Sequence, residues 1–322
     1  MFTRSIGAAC VAVALLATAC IPPDEVEDLT RAFSADTVQG RIQRARVLHV
    51  GIPGGESPWA RAGDGAALEG FAVDLGRNVG DTLGVETVFT AGTTEELLEA
   101  VATGELAIAF PLLPISEKGA RRNTITDPYF VAHQRLLAPS GVHNTDDLTG
   151  EPVCVLAGPD VGIPEELNDP PAVVPPHVLD GELETLEPES SSQLAPCVGE
   201  LLSGFLRAAT GLDVDLMALS DELSEACRRI PASAFCRENA TGSRPDLVIT
   251  GEQLSTAGIG AVVTGVEPGW VTYVERVFAE YERNDGWRSS YEEWISPYLG
   301  APPDPPSITV EEAAALFPKN EN

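Results

Sequence analysis

The chain has 322 residues, 43% of them hydrophobic, enough apolar material for one large domain or two lobes with real cores, so disorder is excluded as the default state. Only 20 Lys and Arg stand against 49 Asp and Glu, a formal charge of −29. That balance excludes nucleic acid and anionic lipid headgroups as charge-driven partners, because both need basic patches, and it suits an exported protein that must stay soluble.

The first twenty residues, MFTRSIGAACVAVALLATAC, place one arginine at position 4, an apolar run from Ile6 to Leu16, and small residues ending at Cys20. The run is too short to span a bilayer and reads as an export signal over residues 1–19. "LATAC" resembles a bacterial lipobox, in which cleavage before the cysteine leaves Cys20 to carry a diacylglycerol and a palmitate-type acyl chain, a stable two-signal anchor. An ordinary secretory peptide with an incidental cysteine is the alternative. Residues 20–44 are polar and acidic and read as anchor and tether.

The folded part is expected to begin at the β-rich "RVLHVGI". In "GFAVDLGRNVGDTLGV", Leu75, Val79 and Leu83 recur every four residues on one helical face, with Gly84 placed to end it. "TTEELLEAVATG" opens on a capping box of Thr93 and Glu96, buries Leu97, Leu98 and Val101, and ends at Gly104; the strand "LAIAF" follows. Strand, helix, helix, strand in this order implies parallel pairing in an α/β layer. A second α/β set starts at "PVCVLAG" and continues with a helix over 193–203 and the strand "DLVITG". Residues 205–244 between them read as an insertion. The C-terminal part carries the helices "GWVTYVERVFAEYERNDG" and "WRSSYEEWISPYLG", then a proline-rich stop and a short helical turn around Glu311 to Leu316.

Beyond Cys10 and Cys20, four cysteines remain: Cys154, Cys197, Cys227 and Cys236. Outside the cytosol they should pair, and sequence leaves three connectivities, of which Cys154 with Cys197 and Cys227 with Cys236 is preferred. A metal site is the rival, but no CxxC spacing occurs and the four histidines are scattered.

This order of pieces resembles the family-3 extracellular solute-binding proteins, the receptors of polar amino-acid ABC importers. The residues carrying the likeness are "LHVGIPGGESPW", "LEGFAVDLGRNVGDTLGV", "LLEAVATGELAIAF", "TDPYF", "DDLTGEPVCVLAG", "LAPCVGELLSG", "PDLVITGE" and "VERVFAEYERNDGWRSSYEEW". The resemblance implies a type II periplasmic-binding fold, α/β, with two lobes and a ligand cleft between them. Lobe 1 would hold residues 45–133 and 257–300, lobe 2 residues 137–252, and the tail 301–322. Hinges would fall near Gln134 to Ala138 and Gln253 to Ala257. Related actinobacterial receptors place cysteines where Cys154 and Cys197 stand, which supports that pairing.

In amino-acid-binding members an arginine after a "TxxR"-like turn clamps the ligand carboxylate with two parallel hydrogen bonds. Counting back from "DPY", that position here is Gly119. Arg121 and Arg122 follow two and three residues later, and read either as ion-paired surface residues or, through a local shift, as Arg121 or Lys118 reaching back to the ligand. In "PLLP", Pro111 and Pro114 remove amide donors and Leu112 removes a hydroxyl. At the lobe 2 helix start stand Pro159 and Asp160, and the acid that receives the ligand amine aligns with Gly251, beside Glu252. Glu56 stands where an aromatic ring commonly stacks on the ligand, with Trp59 nearby; Asp74 reads as a structural hydrogen-bonding residue. The expected ligand-binding set is therefore Glu56, Trp59, Leu112, Pro114, Arg121, Asp160 and Glu252. Such a cleft suits a cationic or polyhydroxylated solute better than a free α-amino acid.

The resemblance implies a lipid-anchored, monomeric binding subunit that presents a small polar solute to ABC permease subunits, without cofactor, metal or nucleic acid. A sensory or docking lipoprotein with a degenerate cleft is the alternative. Enzymes such as cyclohexadienyl dehydratases share the fold, but no Ser/His/Asp order, metal spacing or phosphate loop appears, and His133 is the only histidine near the expected cleft.

Overall fold

The computed structural model describes residues 29–54, 58–62, 67–116, 119–120, 123–148, 151–156, 187–191, 201, 206–229, 236, 247–251, 253–265 and 267–316. Helix α1 (Val38–Ala45) is capped by the Thr37 hydroxyl, which accepts from Gly40 N, and it buries Val38 and Ile42. The Tyr273 hydroxyl donates to Leu29 O at 3.0 Å. A tether reaching residue 44 is therefore corrected: the folded body extends back at least to Leu29, because α1 has an apolar side to bury.

The chain continues through β1 (Val47–Pro53), the short β2 (Arg61–Ala62) and β3 (Leu68–Glu69), α2 (Phe71–Leu83), β4 (Glu86–Gly92), α3 (Thr94–Thr103), β5 (Ile108–Ala109) and β6 (Thr124–Ile125). Leu75, Val79 and Leu83 of α2 are buried, and Gly84 ends the helix at φ 69°. Gly70 precedes α2 at φ 138°, and a Cβ there would lie 2.3 Å from Trp59 O. Only glycine lets the 58–59 turn close on the helix start. Both bonds of the Thr93–Glu96 capping box are present at α3.

Next come β7 (Phe130–Pro139), β8 (Pro152–Leu156), β9 (Glu187–Ser191), β10 (Ala208–Leu212), α4 (Asp213–Arg229), β11 (Leu247–Ile249), β12 (Ser255–Ile259), β13 (Val262–Val263), α5 (Pro268–Arg283), α6 (Gly286–Trp294), α7 (Ser296–Leu299) and α8 (Val310–Leu316). One sheet runs β4-β1-β5-β13-β6 and the other β11-β7-β10-β8-β9, with β12 also on β7. β1 is parallel to β4 and β5, as an α/β lobe requires.

Strand β7 links the two lobes. Its residues 130–134 pair with β12, 134–137 with β10 and 137–139 with β11. The chain thus enters lobe 2 along β7 and returns along β12, the two strands that connect the lobes.

Residues 206–229, read from the sequence as part of an insertion, belong to the second sheet and its core. β10 lies between β7 and β8 in the middle of the second sheet with all five residues buried, and α4 packs Leu216, Leu219, Leu223 and Cys227 beneath it. "AATGL" carries too few large apolar residues to announce a core strand. The strand containing "DLVITG" is instead the edge strand β11, antiparallel to β7. Cys227 and Cys236 form a disulfide with Cα atoms 5.5 Å apart. Cys154 is disulfide-bonded too; Cys197, the partner expected for it, lies outside the described residues, as does the helix expected over 193–203 apart from Leu201.

The largest core covers one face of the first sheet with α2, α5 and α6, and it continues into Val214 and Met217 of α4. The opposite face is covered by α3 and by α8, whose Ala313 and Ala314 are buried. The lobes also meet where the Tyr298 hydroxyl donates to Asp221 Oδ2 at 2.6 Å.

Candidate ligand cleft and hinge

The segment leaving β5 is pinned to the returning hinge strand. Pro114 bridges Ile259, and Ile115 N donates to Gly258 O at 2.8 Å. Leu112 adopts φ 53° and is 5% exposed. A left-handed leucine costs about 1–2 kcal/mol, so packing holds it there. Leu112 and Pro114, expected as pocket lining, are buried, and their side chains serve lobe 1 and its junction with β12.

Ser116 opens the following turn: its hydroxyl accepts from Gly119 N at 3.0 Å and its carbonyl from Ala120 N at 2.9 Å. A Cβ at Gly119 would meet the Ser116 hydroxyl at 3.2 Å. The backbone where the resemblance puts a clamp arginine is thus an ordinary capped turn without a side chain.

Trp59 is also corrected. It is 0% exposed and stands edge-on to Phe71 and Phe130 at 5.3 and 5.0 Å, so it is a core residue and offers no ring to a solute. Its indole Nε1 finds no partner among the described residues. Asp74 is structural, as expected: Oδ2 accepts from Ser290 Oγ at 2.9 Å and Trp294 Nε1 at 2.8 Å, tying α2 to α6.

In lobe 2 the central strand β10 ends at Leu212 and is followed by Asp213. Gly251, the position that the resemblance aligns with the amine-receiving acid, follows the edge strand β11. Asp213 is 1% exposed. Its Oδ2 accepts from His133 N at 3.1 Å and faces Arg135 Nε at 3.6 Å, while Oδ1 has no hydrogen-bond partner among the described residues. Burial pushes its carboxyl up to about 7, with the His133 amide and Arg135 opposing. Arg135 Nη1 donates to Thr250 O and Gly251 O; burial and the nearby Arg135 charge hold His133 below its usual value. His133 Nδ1 lies 3.1 Å from Thr256 Oγ1. The sequence signal for Asp213 was an acid between a small apolar strand and an amphipathic helix, hidden by reading that stretch as an insertion.

Glu56, Lys118, Arg121, Arg122, Asp160 and Glu252 lie outside the described residues, as does Cys20. Among the described residues no group of three or more His, Cys, Asp or Glu could hold a metal ion, and no helix is long and apolar enough to cross a membrane. The arrangement sets a buried acid beside a guanidinium fixed on two carbonyls, where β7 passes between the lobes.

Solved structures share this architecture. The ancestral cationic amino acid solute binding protein AncCDT-1, a precursor of cyclohexadienyl dehydratase, matches with a TM-score of 0.56 and 17% identity over 80% of this chain and 100% of that one. A mutant of the arginine-binding protein ArgBP from T. maritima matches with a TM-score of 0.53 and 19% identity over 81% and 100%. Tv2483 bound to L-arginine gives 0.54 and 14% over 80% and 93%. At these identities the likeness is one of fold, the two-lobe α/β form of periplasmic binding proteins. No curated protein matches the chain by sequence. The model of the bacterial extracellular solute-binding proteins, family 3, matches residues 48–297, and the chain belongs to that family.

Proposed function

We propose that this protein is the lipid-anchored, extracytoplasmic binding subunit of an ABC importer and captures a small cationic solute between its lobes. It binds and releases the solute without converting it. The observation that carries the ligand class is Gly119: a capped turn with no side chain stands where an amino-acid receptor would hold a carboxylate. A ligand carboxylate buried there would lack a partner, which is costly. The formal charge of −29 adds a field that concentrates cations, and Glu56, Asp160 and Glu252 would supply acidic groups in the cleft. The fold neighbours that bind arginine or cationic amino acids are consistent with this class.

Titration calorimetry with agmatine, L-arginine and L-glutamate tests the reading, because agmatine is arginine without its carboxylate. Agmatine should bind at least tenfold more tightly than L-arginine and L-glutamate should not bind, with agmatine recovered unchanged. Tighter binding of L-arginine or L-glutamate would overturn the ligand class, and conversion of agmatine would overturn the receptor role.

A further inference from the structure

The end of the chain passes between the lobes again after β7 and β12 have joined them. Helix α6 belongs to lobe 1, where Ser290 and Trp294 donate to Asp74 of α2. The next turn, α7, lies beside β11 of lobe 2, and its Tyr298 hydroxyl donates to Asp221 Oδ2 of α4 at 2.6 Å. Helix α8 then returns to lobe 1. Val310 N donates to Asp127 Oδ1 at 2.8 Å, and the buried Ala313 packs on β12, its Cβ 2.7 Å from where a Cβ on Gly258 would lie. Tyr298 and all that follows lie beyond the family match, which ends at residue 297.

Between these anchors the composition is that of a stiff spacer. Gly300 ends α7 at φ 81°, Thr309 and Glu312 bond each other's backbone at the start of α8, and residues 302–309 are neither helix nor strand. Pro302, Pro303, Pro305 and Pro306 fall in this stretch. Each proline fixes its own φ and restricts the residue before it, so the stretch resists shortening and bending, whereas a flexible tail would be rich in Gly and Ser. Pro303 and Pro306 border the same cavity as Val131 and His133 of β7. Pro306 to Thr309 border another with Glu275 and Phe278 of α5, so the spacer is laid along the body of the protein.

We propose that residues 298–316 form a strap that holds the two lobes at one separation: Tyr298 holds lobe 2, α8 holds lobe 1, and the prolines fix the span between them. Rotation of lobe 2 about β7 and β12 must break the Tyr298 contact or deform the spacer. A contact made in one arrangement and lost in another shifts the balance toward the first, so the strap sets the resting arrangement of the lobes. It does so whatever solute the cleft receives.

Spin labels on Glu99→Cys in α3 and Gly141→Cys after β7, both exposed positions on different lobes, report the lobe separation by pulsed electron spin resonance on the mature chain. The parent should give one narrow distance distribution. Tyr298→Phe, which removes the hydroxyl and keeps the ring, should widen it or add a second distance. Replacing the spacer prolines by glycine should widen it further, about twofold over the parent. A broad distribution in the parent, or one unchanged by Tyr298→Phe, would overturn the strap. Because Tyr298→Phe preserves the packing volume, its result is decisive even where the glycine variant fails to fold.

Discussion

Asp213 shows how one residue's environment sets its behaviour. Its folded carboxyl titrates near 7, above the 3.8 of an exposed aspartate. The folded state therefore holds the proton more tightly, and this contribution to stability is full below about pH 4 and lost as pH rises through 7. Arg135, His133 and Tyr291 are the titratable neighbours. His133, held below its usual value by burial, also changes charge within that range, so the comparison is made between the parent and Asp213→Asn, which share it. The stability difference between parent and Asp213→Asn should shift against the parent by up to about 4 kcal/mol between pH 4 and 8; denaturant melts at a series of pH values would show it, and a flat difference would contradict the burial argument. Trp59 gives a second residue-scale expectation. Edge-on between Phe71 and Phe130 in a closed core, it should cost about 3–5 kcal/mol when replaced by alanine, read as a lowered urea midpoint, whereas a solvent-facing pocket wall would cost far less.

At the scale of elements, helices were more legible than strands. α2 and α3 announce themselves by period and caps, since Leu75, Val79 and Leu83 repeat at helical spacing and Thr93 with Glu96 closes a box. β4 and β10 do not. β4 is a half-exposed edge strand with polar residues, and β10 is made of small residues whose burial comes from neighbours on both sides. Their pairing is non-local, so no local pattern encodes it. Two element-scale predictions follow from the packing. Cys227→Ser opens a short ring, with the two cysteines nine residues apart, and should lower stability by about 2–3 kcal/mol. Gly258 has Ala313 Cβ 2.7 Å and Pro128 Cγ 2.9 Å from where a Cβ would lie. Gly258→Val should therefore displace α8 and raise protease cleavage after residue 300, and a variant as resistant as the parent would show that α8 is not held there.

At the scale of the whole molecule, the two lobes are joined by β7 and β12 and backed by residues beyond the family match. Val310 N donates to Asp127 Oδ1 at 2.8 Å on lobe 1, and Tyr298 reaches Asp221 on lobe 2. This C-terminal stretch touches both lobes. Fold and family could be read from the order of strands, helices and caps, whereas the ligand depended on three-dimensional neighbours: Trp59, Leu112 and Pro114 turned out to be packing residues. The central claim is that the cleft receives a cationic solute in place of an amino acid held by its carboxylate. The most direct measurement is the thermal shift of residues 21–322 against amino acids, polyamines, quaternary amines, sugars and small peptides, because a ligand of the native state raises the melting temperature by mass action. The account predicts a rise with at least one carboxylate-free cation and none with glutamate or glutamine. A rise with glutamate or glutamine, or none with any cation, would contradict it.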